Sequence, residues 1–243
     1  MVVHGFSRYS QQPTFHQGCL YSSLLDNDAN YIYNVSVIVR RKEDFEMDLS
    51  STLLDVLQKN NGIITTSQAN AVGISRENLR ILADAGKLER VAKGVYISPD
   101  SFLDKMYVSQ LRRPKIIYSH ETALFLHNLT DRDPIAYSVT LPTGYNTKAI
   151  IADGFSVFSI KKELHFLGVV KMETMFGNMV TVYGMERTIC DCIRNRNKMD
   201  ISVVTDAVKR YVKREDKNLN TLMEMAEIFR VTKPLRSYME VLL

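Results

Sequence analysis

An α+β fold is what this sequence predicts: a small helical head closed by a β-hairpin, then a larger mixed domain. Three observations predict it. Residues 49–86 carry apolar residues at helical spacing, interrupted by glycines. Residues 87–98 place apolar residues on either side of a Lys93-Gly94 turn, as a hairpin does. Beyond residue 134, runs rich in Val, Ile, Phe, Tyr and Thr alternate with helical patterns. Three parts are expected: an irregular extension over 1–46, a head over 47–100 and an α+β domain over 101–243, with a loose boundary between Ser98 and Pro114.

The elements follow in order. Leu53, Leu54, Val56 and Leu57 lie near helical spacing, and Gly62 suits a left-handed exit. Ser67 is expected to cap a short helix of Gln68 to Val72, ended by Gly73. Ser75 caps a third helix whose buried stripe is Ile74, Leu79 and Leu82, with Gly86 at its C′ position. Leu88, Val91, Val95 and Ile97 bracket the hairpin turn. Helix, short helix, tight turn, helix, hairpin is the order of a winged helix-turn-helix. A helix is expected over Ser101 to Leu111, and another after Ser119 with Ala123, Leu124 and Leu126 inward. "IAYSVTLPTGYN" and "FSVFSIKKELHFLGVVKMETMFGNMVTVYG" read as strands; "MERTICDCIRN", "ISVVTDAVKRYVKR" and "LNTLMEMAEIF" read as helices.

Composition bounds the rest. The 243 residues are 45% hydrophobic and 24% charged, the balance of a globular protein in water. No run of about 18 apolar residues is present to span a membrane. The net charge of +4 permits nucleic acid as a partner without requiring it. Cys19, Cys190 and Cys192 show no framework spacing and read as free thiols in a reducing cytoplasm, the last two on different faces of one helix. The first 46 residues show no sustained period, and regular patterning begins at "MDLSSTLLDVLQKN". Met47 is therefore the expected natural start, with a flexible N-terminal arm over 1–46 as the alternative; recovery of peptides from before Met47 would reject the start.

A recognition helix lays its outward N-terminal residues on base edges in the major groove. With Ile74, Leu79 and Leu82 inward, Arg76, Glu77 and Arg80 face out, the arginines one turn apart. Arginine matches guanine O6 and N7, and Asn78 matches adenine if it turns outward. Thr65, Thr66 and Ser67 offer hydroxyls and free N–H groups for a phosphate at a helix start. Lys93 at the hairpin tip and Arg90 beside it complete the candidate interface. Thr65 to Val95 holds five basic and three acidic residues, a small surplus, so useful affinity calls for a second copy or a second basic surface. Arg194, Arg196, Lys198, Lys209, Arg210 and Lys213 form that second candidate, with a solvated helix face as the plainer reading. Winged helices also mediate protein contacts, so a packed interaction module is the competing view of the head.

No enzyme signature emerges. There is no phosphate-binding G-x-x-x-x-G-K-[ST] loop and no G-x-G-x-x-G. His4, His16, His120, His127 and His165 lack metal-ligand spacing, so neither metal nor cofactor is expected. Asp131, Asp133 and Asp153 fit a nuclease set poorly; "DRDP" is more simply a turn with Arg132 in a salt bridge.

"LLDVLQKNNGIITTSQANAVGISRENLRILADAGKLERVAKGVYISPD", then "YSHETALFLHNLTDRDP", "SVTLPTGYN" and "ERTICDCIRNRNKMD", resemble the AbiEi family of antitoxins from bacterial abortive-infection, or phage-defence, systems. The resemblance spans about residues 49–243. It implies a head that binds inverted repeats in the promoter of its own operon and represses it. It implies a C-terminal domain that neutralises a co-encoded nucleotidyltransferase-type toxin, in a type IV arrangement that needs no stable complex. Self-association on DNA would follow from paired repeats.

Overall fold

The computed structural model describes residues 51–240; the expected start at Met47, the 1–46 extension and Cys19 lie outside them. A helix over 51–59 (α1) buries Leu53 and Leu57, four apart on one face, and leaves Leu54 exposed. The chain then extends as β1 (Ile63–Thr65), a strand that the sequence reading missed because only three residues take part.

The next helix, α2 (Thr66–Ala71), is capped by Thr65 rather than Ser67. Thr65 Oγ1 accepts from Gln68 N–H, and Gln68 Oε1 accepts from Thr65 N–H, a reciprocal capping box. The Thr-x-x-Gln spacing favours this cap over Ser67, which sits exposed inside the first turn. Helix α3 (Arg76–Asp84) starts as expected, with Ser75 Oγ accepting from Asn78 N–H. Ile74 and Leu79 are buried, but Leu82 is only half-buried. Gly86 follows the helix with φ +70, the left-handed exit that suits glycine.

The hairpin is β2 (Glu89–Ala92) and β3 (Val95–Ile97), antiparallel about Lys93-Gly94. β1 pairs antiparallel with β3 from its other side, giving a three-stranded sheet in the order β1-β3-β2.

The helix expected over Ser101 to Leu111 begins later, as α4 (Lys105–Arg112), capped by Asp104, whose Oδ1 accepts from Tyr107 N–H. Val108 of this helix is buried in one cluster with Ile63, Val95 and Ile97, so α4 seals the small sheet. A five-stranded sheet follows, built from β4 (Ile117–Tyr118), β5 (Ser138–Pro142), β6 (Ser156–Ile160), β7 (Val169–Glu173) and β8 (Met179–Tyr183) in the order β6-β5-β4-β8-β7. The β4–β8 and β5–β6 pairs are parallel; β4–β5 and β7–β8 are antiparallel. A short helix, α6 (Lys148–Ala152), makes the β5-to-β6 crossover and was not read from sequence.

Helices α5 (His120–Leu126) and α7 (Met185–Arg194) come next to the sheet, with α8 (Ile201–Lys213), α9 (Leu219–Ile228) and α10 (Thr232–Glu240) packed beyond. α7 is buried from Arg187 to Ile193, because α5, α8, α9 and α10 all contact it. That is why Cys190 and Cys192 are both buried free thiols despite pointing to different faces. The described residues make one compact unit.

Candidate nucleic-acid interface and the edge cavity

The head brings three of its expected contact residues to one end by backbone construction. Thr66 N–H donates to Gly94 O at 2.9 Å, which ties the start of α2 to the hairpin tip. Gly94 has φ +74, and a Cβ there would stand 3.1 Å from Thr66 Oγ1, so the turn is close-fitting as well as left-handed. Thr66, Ser67 and Lys93 therefore share one end of the head. Ser67 and Lys93 are exposed and Thr66 is half-buried. The capping box occupies two polar groups at this helix start, leaving fewer for a phosphate than the bare sequence implies.

Arg76 and Arg80 are exposed on α3, and Asn78 is half-buried. Arg80 donates to Glu77 Oε1 at 2.7 Å, with both side chains largely in water. Its guanidinium pKa is raised, mainly by that hydrogen bond and then by the Glu77 charge. Arg80 and Arg90 line one open groove of about 600 Å³ between α3 and the hairpin. Asp84 and Glu89 line it too, so the groove carries both signs.

The second basic set does not form one patch. Arg194 and Lys198 line a cavity of about 460 Å³ at the end of α7. Arg196 is half-buried and donates to Ile193 O. Arg210 is held by Asp131 and Asp206, which matches its charge twice. Lys209 and Lys213 are exposed one turn apart on α8. Of the six residues, Arg210 has its charge matched by two carboxylates, Asp131 and Asp206.

The three aspartates considered for a nuclease separate. Asp131 pairs with Arg210, Asp153 with Arg113, and Asp133 stands apart at a different cavity. Arg132 does form a salt bridge, to Asp200 at 2.7 Å. Among the described residues no three His, Cys, Asp or Glu side chains are grouped to hold a metal.

The cavity at the end of α7 has a built floor that sequence reasoning missed. Ser119 makes no side-chain cap bond; its Oγ accepts from Thr140 Oγ1 at 2.8 Å inside the core. His120 is buried, has φ +48 and stacks on Phe158 with ring centroids 3.4 Å apart. Asn195 Nδ2 donates to His120 Nε2 at 3.0 Å, so Nδ1 carries the proton and donates to Ser119 Oγ. Burial, then the Arg187 and Arg194 charges, depress its pKa to about 3. Beside it Asp191 accepts from Arg187 Nε at 2.8 Å, with both groups buried. Burial raises the Asp191 pKa against the pull of Arg187. His120 and His127 are core and backbone-bonding histidines: His127 Nε2 lies 2.7 Å from Tyr183 O. One signal was readable, since histidine tolerates a left-handed φ better than most residues. The pairing of His120 with Phe158 was not.

The class defined by this geometry is a mixed α+β protein whose head exposes one face of a helix beside a hairpin. Residues 51–99 match the model of a family described as transcriptional regulator, AbiEi antitoxin, the family that the sequence resembles. No curated protein matches the chain. The crystal structure of the Rv2827c protein from Mycobacterium tuberculosis is similar, with a TM-score of 0.51 over 74% of this chain and 71% of that one. At 13% identity the likeness is one of fold alone. No helix among the described residues is long and apolar enough to cross a membrane.

Proposed function

We propose that this protein is a DNA-binding autorepressor and antitoxin. In this reading residues 47–100 are a winged helix-turn-helix that binds inverted repeats in the promoter of its own operon. Residues 101–243 neutralise a co-encoded nucleotidyltransferase-type toxin, part of a cytoplasmic phage-defence system, without need of a stable complex. The observation that carries the reading is the exposed face of α3, which presents Arg76 and Arg80 one turn apart within the segment that matches the regulator family. Arg76, Asn78 and Arg80 read bases in the major groove; Thr66, Ser67, Arg90 and Lys93 meet backbone phosphates.

A second reading has its own support. The Arg80–Glu77 pair and the mixed charge of the groove suit a protein surface that contacts a toxin directly. Gel-shift titration on the DNA upstream of the gene, at two salt concentrations and against a scrambled duplex, separates the two. Specific, stepwise, salt-sensitive shifts are expected of the repressor. Equal weak binding to both duplexes would transfer the head to the protein-interaction reading.

A further inference from the structure

We propose that the open edge of β6 is a docking site for an extended, acidic segment of a protein partner, which adds a strand to the five-stranded sheet. The inference does not depend on how the head is used.

Among the described residues β6 pairs with β5 alone, and it does so in parallel. Ser156 N–H donates to Tyr137 O, and Ile160 O accepts from Thr143 N–H. In a parallel ladder alternate residues face the partner. Ser156, Phe158 and Ile160 therefore turn their backbone groups toward β5, while the N–H and C=O of Val157 and Ser159 point to the open side. This explains why the cavity is lined by consecutive β6 residues from both faces of the strand.

Within its own residues the strand also lacks the usual protection of a sheet edge. Natural edges are blunted by charge, proline or bulges. The other edge of this sheet, β7, carries exposed Lys171 and Glu173. β6 reads Ser-Val-Phe-Ser-Ile, with no charge and no proline.

Charge selects the occupant. Arg194 and Lys198 line the same cavity, and neither makes an ion pair among the described residues. Lys161 and Lys162 follow the strand and are exposed. The one carboxylate in the lining, Asp191, is buried and engaged with Arg187. An incoming strand thus meets two backbone donors, two acceptors and uncompensated positive charge. The floor is preformed, because His120 is bonded at both ring nitrogens and fixes Phe158 by stacking. Preorganisation of this kind lowers the ordering cost of binding.

The probe is a displayed library of random peptides of about nine residues, the upper range of a natural strand, selected on the intact protein. Recovered peptides are resynthesised, and their affinities read by fluorescence anisotropy. They are expected to carry Asp or Glu among β-branched residues. Ser159→Pro, which removes an outward N–H and no ladder bond, should weaken them about tenfold or more. Arg194→Glu with Lys198→Glu should do the same. N-methylation of alternate peptide amides repeats the backbone test on unaltered protein, whether or not S159P folds. If no peptide distinguishes the protein from these variants, the site is rejected. Loss on charge reversal alone, with N-methylated peptides or a single-stranded oligonucleotide binding equally well, would make it an anion surface and overturn strand addition. Loss on backbone blocking alone would overturn the acidic partner.

Discussion

Arg80 spends its resting state on Glu77, yet that pair is exposed on both sides. Surface ion pairs contribute about 0–1 kcal/mol, so a base edge or phosphate can displace the carboxylate. Arg76→Ala and Arg80→Ala are each expected to weaken operator binding by about 1–3 kcal/mol. Repression unchanged in the double variant would reject this docking. Glu77→Gln should strengthen binding by freeing Arg80, which the same titration reads. Lys93→Ala should weaken all duplexes alike and lower the salt slope by about one; lost sequence preference would instead assign the hairpin tip to bases. His120 supplies a stability prediction. Its folded pKa of about 3 lies below the ordinary 6.5, so only the unfolded chain takes up its proton between those values. Stability is then complete above about pH 6.5 and declines toward pH 3, by at most about 1.4 kcal/mol per unit. His127 and His165 are depressed in the same direction by burial. Urea midpoints of His120→Asn, a residue that accepts φ +48, should show a shallower acid decline than wild type; an unchanged profile would mean the decline arises elsewhere.

Capping decides where the helices of the head begin. Ser75→Ala should cost about 1 kcal/mol by leaving Asn78 N–H without its acceptor, seen as a lower Tm. A larger loss is expected at Asp104, which is 1% exposed and serves two purposes. One carboxylate oxygen caps α4, and the other accepts from Thr174 Oγ1 and Asn178 Nδ2 at the β7–β8 turn. Asp104→Ala strands those donors and should cost about 3 kcal/mol, while Lys105→Ala, an exposed neighbour, should be nearly silent in the same melt. Helix α4 thus belongs to two cores. Val108 seals the small sheet, and Gln110 exchanges hydrogen bonds with the Thr181 backbone of β8.

At the scale of the molecule the head touches the body through that helix and through Asn61, whose amide donates to Gly177 O and Asn178 Oδ1. If DNA binding and neutralisation are separate tasks, Arg76→Ala/Arg80→Ala should lose repression and keep toxin neutralisation in a growth assay. Loss of both in a folded protein would count against separable parts. The small basic surplus of the head also predicts that two copies on one repeat bind more tightly than one, since DNA raises their effective concentration; equal affinity for one half-site and for the full repeat would reject this.

The amino-acid sequence by itself determined the elements whose information is local. Ser75 before an apolar stripe, Gly86 after it and Lys93-Gly94 between apolar residues specify helix, exit and turn through backbone preferences that act within a few residues. The same local order carried the family resemblance, which the match over 51–99 meets. Only the tertiary structure decided the rest, because those outcomes depend on partners far along the chain. β1 is a strand because Val95–Ile97 lies beside it. α7 is buried all round because four helices converge on it. Arg210 is neutralised by Asp131, 79 positions away. β6 ends the sheet among the described residues, and residues 156–160 line one cavity with Arg194 and Lys198, a meeting that no spacing within the chain records.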